Sequence, residues 1–177
     1  MTDAEATPLQ RDLLDQDVSL YGQVLNTSRI YAHFPAMLGP LQALDGALAT
    51  SGVLAGDLIS IARLRVAQIN GCPFSMDINA AGLLRSEEGR RKALAVESWH
   101  DSDVFSRLEK AVLAYAEALT RSDRDVDDEL IDDLRSTLSD EAIVELTCWL
   151  CLENFYSKFN RAFRVESQGF RIIAKGG

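Results

Sequence analysis

LRVAQINGCPFSMDINAAG, residues 64–82, carries two helix signals back to back. Upstream and into it, Leu58, Ile61, Leu64 and Ile69 recur at helical spacing. Gly71 then stands where a helix end wants a left-handed residue. Pro73 follows at once. Proline suits the first position of a helix, where its missing N–H would have had no partner. The stretch predicts one helix ending at Gly71 and a second starting at Pro73, with Cys72 at or beside the second N-cap. Asp57 can cap the first helix.

Working outward, helical periodicity dominates and strand-like alternation is almost absent. Pro35 lies near a predicted helix start and Gly52 just past its end. Ser86, followed by Glu87 and Glu88, opens another helix, because acids suit the positive end of the helix dipole. Phe105, Leu108, Val112, Tyr115 and Leu119 share one face of the next. Ser139 caps the most apolar helix, DEAIVELTCWLCLENFYSKFNRAF. A short helical stretch is expected over Val18 to Leu25. The expected organisation is a flexible segment over 1–15, one all-α helical bundle over 16–165 and a tail over 166–177.

The chain has 177 residues, 47% hydrophobic and 25% charged, which suits one globular domain. Its net charge of −9 repels phosphate backbones and anionic lipid, so neither nucleic acid nor a membrane surface is an expected partner. The first residues lack the basic start and apolar run of a signal peptide. Three cysteines are too few for a disulfide scaffold, and the expected location is the cytoplasm.

A thiol at a helix N-terminus faces unpaired backbone N–H groups and the positive end of the dipole, and both favour the thiolate. Ser75 is three residues on and Asn79 four beyond, so Cys72, Ser75 and Asn79 share one helix face. A dithiol site would need sulfur at the position of Ser75, and a proton relay an imidazole near Asn79.

The stretch resembles the signature of the alkylhydroperoxidase-D-like family, which includes the carboxymuconolactone decarboxylases. Asn70, Gly71 and Cys72 match, as does the helix ISIARLRVAQ before them. YAHFPAML, LEKAVLAYAEALT, LSDEAIVELT and ENFYSKFNRA resemble other segments of the family, so the likeness runs from about Tyr31 to Phe163. The resemblance implies an all-α bundle, a homo-oligomer (dimer, trimer or hexamer) and thiol redox chemistry of the peroxiredoxin-activity kind. It places Cys72 on the family's first cysteine, Ser75 on its second, Asn79 on its histidine and Ser60 on its relay glutamate. Three of the four relay positions are therefore substituted. Serine forms no sulfenic acid or disulfide, and asparagine moves no proton near neutral pH.

Three readings follow: a redox enzyme working through Cys72, alone or with Cys148 or Cys151; a neutral non-redox pocket lined by Ser60, Ser75 and Asn79, for small-ligand binding or lactone or carboxylate chemistry; or a structural assembly role. No cofactor and no metal is expected, since His33 and His100 lack a ligand-like pattern of neighbours. Cys148 and Cys151 form CWLC well inside an apolar helix and are expected to be core. Trp99, Trp149, Phe155, Tyr156 and Phe159 are expected in the core or an oligomer interface. Arg63 and Arg65 are expected on a solvated face, with contact to an anionic ligand as the alternative.

Overall fold

The computed structural model describes residues 7–170, which contain helices and turns and no strand among them. The chain divides after Ser51 into two compact units.

The first unit holds α1 (Pro8–Tyr21), α2 (Asn26–Tyr31) and α3 (Pro35–Ala49). Helix therefore begins at Pro8, earlier than the sequence reading placed it. The cause is local. Thr7 N–H donates to Gln10 Oε1 and Gln10 N–H to Thr7 Oγ1, a capping box, with Pro8 at the first helical position. α1 ends at Gly22, whose φ of 74° is the left-handed conformation that glycine adopts without strain. Residues 1–6 lie outside the described residues. Asp17 is buried and accepts from Leu25 N–H at 3.0 Å. Burial holds its carboxyl above the ordinary value, against the lowering effect of its hydrogen bonds.

The second unit holds α4 (Gly56–Ile69), α5 (Pro73–Leu83), α6 (Glu87–Ala95), a 3₁₀ turn (Val96–Asp101), α7 (Arg107–Thr120), α8 (Asp128–Arg135) and α9 (Asp140–Ala162). α4 is the central element and packs against α5, α7 and α9. Leu58, Ile61, Ala62, Leu64, Val66 and Ala67 are all buried, a wider band than one amphipathic stripe, because α4 has neighbours on several sides. Asp57 does not cap this helix. Ala55 occupies the N-cap and Asp57 lies in the first turn, where its charge still suits the dipole. The core closes with Val112, Leu113 and Ala116 of α7, Leu134 of α8, and Leu146 and Leu150 of α9.

α7 starts in a second capping box, between Ser106 and Glu109. Ser86, Asp127 and Ser139 cap α6, α8 and α9 through their side chains. These ends satisfy backbone donors that a helix start would otherwise leave unpaired.

The two arginines of α4 are not on a solvated face. Arg65 Nε donates to Glu117 Oε1 at 2.8 Å, and Trp99 Nε1 donates to the same oxygen at 2.8 Å. Burial alone would raise the Glu117 carboxyl, but the hydrogen bonds from Trp99 and Arg65 and the Arg65 charge outweigh it and hold it low. A carboxylate lowered on folding contributes stability that is fully present above its ordinary value of 4.5 and is lost as pH falls through the lowered folded value. Urea unfolding between about pH 7 and pH 3 should therefore show falling stability on acidification, and Glu117→Gln should flatten that slope. An unchanged slope in Glu117→Gln would assign the acid sensitivity to other carboxylates.

The segment after α9 is tied down. Asp77 Oδ2, on buried α5, accepts from Ser167 Oγ at 2.8 Å and from the N–H groups of Gln168, Gly169 and Phe170 at 2.9, 2.7 and 3.1 Å. Phe170 packs edge-on against Phe74, with centroids 6.5 Å apart. Residues 171–177 lie outside the described residues.

Candidate functional site

The corner between α4 and α5 is built almost entirely by backbone. Gly71, at φ 61°, follows the C-cap Asn70. Its N–H donates to Gln68 O at 3.0 Å, and Cys72 N–H donates to Ala67 O at 3.0 Å. These two bonds are the Schellman closure of a helix. α5 begins at the very next residue, so Cys72 ends one helix and caps the other. Its Sγ accepts the Ser75 N–H at 3.4 Å, and the side chain is completely buried.

Asn70 fastens this corner to α9. Its Nδ2 donates to Asn154 Oδ1 at 3.0 Å and to Ser157 Oγ at 2.8 Å, and its carbonyl accepts from Arg161 Nη1 at 2.8 Å. Asn70 is thus a positioning residue for the turn that holds the thiol.

Ser75 and Asn79 are buried on the same side of α5. Asn79 Nδ2 donates to Glu153 Oε2 at 2.9 Å. Arg63 donates to the same oxygen through Nε at 3.1 Å and Nη2 at 3.0 Å. The Arg63 guanidinium also lies 4.8 Å over the Trp149 ring. Glu153 is 1% exposed, and its Oε1 has no hydrogen-bond partner among the described residues. A carboxylate does meet Asn79, but it comes from α9 and not from α4. Ser60, at the expected glutamate position on α4, is half-buried and faces Gly82, where an added Cβ would sit 3.9 Å from its Oγ. Among the described residues no hydrogen bond joins Ser60 to Cys72, Ser75 or Asn79.

An open cleft of about 300 Å³ borders the corner, lined by Arg65, Gln68, Ile69, Met76, Glu97 and Arg121. Gln68 and Ile69 lie just before Cys72 in the chain and Met76 one turn after it.

One expectation about other residues changes. All three cysteines are free, and Cys148 and Cys151 are exposed, not core. Polar residues are spread around α9 and not gathered on one face, so its pattern does not say which side faces inward. Leu146, Leu150, Glu153 and Ser157 take the inner face, and the cysteines fall opposite with the exposed Val144 and Phe155. Trp99 and Trp149 are buried, whereas Phe155 is exposed and stacks along the helix with Phe159. His33 and His100 are both exposed, and His100 stacks on Trp99. Among the described residues no cluster of three or more His, Cys, Asp or Glu could hold a metal ion. No helix among them is long and apolar enough to cross a membrane.

An all-helical fold with Asn-Gly-Cys at the junction of two consecutive helices defines a class of thiol-bearing bundle. The chain belongs to the carboxymuconolactone decarboxylase family, whose signature matches residues 35–118. It is 31% identical over 150 residues to the uncharacterized protein YnjA of Escherichia coli K12, covering 84% of this chain and 82% of that one. Its fold is similar to the debrominase Bmp8, solved with one cysteine replaced by alanine and in complex with 2,3,4-tribromopyrrole. That match has TM-score 0.84 and 18% identity over 98% of this chain and 92% of the debrominase. The fold is also similar to an uncharacterized peroxidase-related protein with an alkylhydroperoxidase AhpD core from Ralstonia eutropha JMP134. Here the TM-score is 0.81, with 19% identity over 97% and 92% of the two chains.

Proposed function

We propose that the protein is an alkylhydroperoxidase-like oxidoreductase that works with a single thiol, Cys72. The observation carrying this reading is the Cys72 sulfur held at the N-terminus of α5, with the Schellman turn behind it and the Ser75 N–H on it. The thiolate attacks the O–O bond of a hydroperoxide. Sulfur gains one oxygen as a sulfenic acid, and the other oxygen takes a proton and leaves as an alcohol. With serine at position 75, no neighbouring sulfur on α5 condenses with that product. An external thiol forms a mixed disulfide and releases water, and a second external thiol restores Cys72 and leaves as the external disulfide. Asn79, Glu153 and Arg63 act as a fixed polar wall, since a neutral amide does not shuttle protons. The cleft beside Gln68, Ile69 and Met76 is the proposed approach for a small substrate.

A debrominase on the same fold, captured with tribromopyrrole after a cysteine was replaced by alanine, supports a thiol-centred reading. The family resemblance supports a homo-oligomer, which sedimentation velocity would read directly. A second reading is favoured by one atom. Glu153 Oε1, without a partner among the described residues, is a buried acceptor that a bound ligand's hydroxyl or amide would satisfy. Steady-state peroxide consumption with a small thiol separates the two. Cys72→Ser should fall to the uncatalysed rate, and equal rates in the two proteins would move the assignment to ligand binding.

A further inference from the structure

The CWLC segment lies outside the Cys72 site and is left unused by the chemistry proposed above. Free cysteine is among the most buried of residue types, yet Cys148 and Cys151 are both exposed. They sit three residues apart on one face of α9, flanked by exposed Val144 and Phe155. Residues at this spacing on a continuous helix hold their Cβ atoms roughly 5–6 Å apart. A disulfide needs roughly 3.5–4.5 Å between Cβ atoms, so direct oxidation of the pair would require α9 to unwind locally. One large atom bonded to both sulfurs, by bonds of roughly 2.3 Å as in a zinc thiolate, holds them well beyond the roughly 2 Å of an S–S bond and fits the helix as it stands.

The number of ligands decides which atom. Structural zinc takes four protein ligands, and no group of three or more His, Cys, Asp or Glu that could hold a metal occurs among the described residues. A trivalent organoarsenical needs only two, because its carbon substituent fills the third valence. We propose that Cys148 and Cys151 form a vicinal dithiol site for a thiophilic trivalent organoarsenical, independent of Cys72. Condensation of an arsine oxide with the pair forms two As–S bonds, breaks two S–H bonds and releases one water. Arsenic stays trivalent, so neither oxidant nor reductant is consumed.

Phenylarsine oxide is the probe, read by intact mass on the full chain. The wild type should take up one phenylarsine unit per chain with loss of one water. That adduct should survive a glutathione wash and be released by a dithiol such as 2,3-dimercaptopropanol. Cys148→Ser and Cys151→Ser should each lose the adduct in the glutathione wash, while Cys72→Ser keeps it, with far-UV circular dichroism confirming that each variant is helical. Glutathione-resistant adduct in either single α9 variant would overturn the site. So would a wild type that binds phenylarsine oxide only after unfolding in urea, since the two thiols would then be covered in the native protein.

Discussion

Arg63→Met is expected to lower the free energy of unfolding by about 3–5 kcal/mol, a large part of the roughly 5–15 kcal/mol that a domain commonly has. Methionine keeps the hydrocarbon stem and fills much of the same space, so the loss is not mainly a cavity. The cost comes from Glu153, which is 1% exposed and would keep only the Asn79 amide on an oxygen that now also receives two guanidinium bonds. A buried carboxylate stripped of its cation is far more costly than a buried pair is beneficial. The double variant Arg63→Met/Glu153→Leu tests that cause. It removes the stranded charge and leaves Asn79 without its acceptor, a loss of about 1–3 kcal/mol. The stacking of Arg63 on Trp149 is gone from both variants, so it cancels in the comparison. Urea midpoints should place the double variant well above the single one. Equal midpoints would mean that Glu153 is not the reason Arg63 matters.

Ser75→Cys is expected to change the fate of oxidised Cys72 more than any other single substitution. The new sulfur would sit on the residue whose N–H already touches Cys72 Sγ, and Cys72 is the extended N-cap, so this pair is not held at the continuous-helix spacing of Cys148 and Cys151. A thiol held there competes with external thiol at an effective concentration far above any added reductant. The sulfenic acid should disappear faster by on the order of 100-fold or more. After one equivalent of peroxide, wild type should gain one oxygen in mass, and the variant should lose two hydrogens as a disulfide. A variant that still gains oxygen would show that the side chain at position 75 does not face Cys72.

The α4–α5 corner was legible in the sequence because glycine and proline act on their own backbone. Gly71 and Pro73 mark helix end and helix start without help from distant residues. The same local logic existed at Thr7, Pro8 and Gln10, a capping signal the reading of a loose N-terminus passed over. Glu153 was not legible. It meets Asn79 across 74 residues and Arg63 across 90, and a glutamate inside an apolar helix does not announce its partners. Asp77 was hidden for the same reason, since its donors lie 90 to 93 residues away. The exposure of Cys148 and Cys151 follows from which side of α9 meets the core, and a helix with polar and apolar residues on every side leaves that open.

Trapping with dimedone tests the single-thiol claim most directly. The full chain is treated with one equivalent of hydroperoxide in the presence of dimedone, digested, and each cysteine peptide weighed. The account predicts one dimedone per chain, on the peptide carrying Cys72, with Cys148 and Cys151 unlabelled. Label confined to Cys148 or Cys151, or no label while peroxide is consumed, would contradict it.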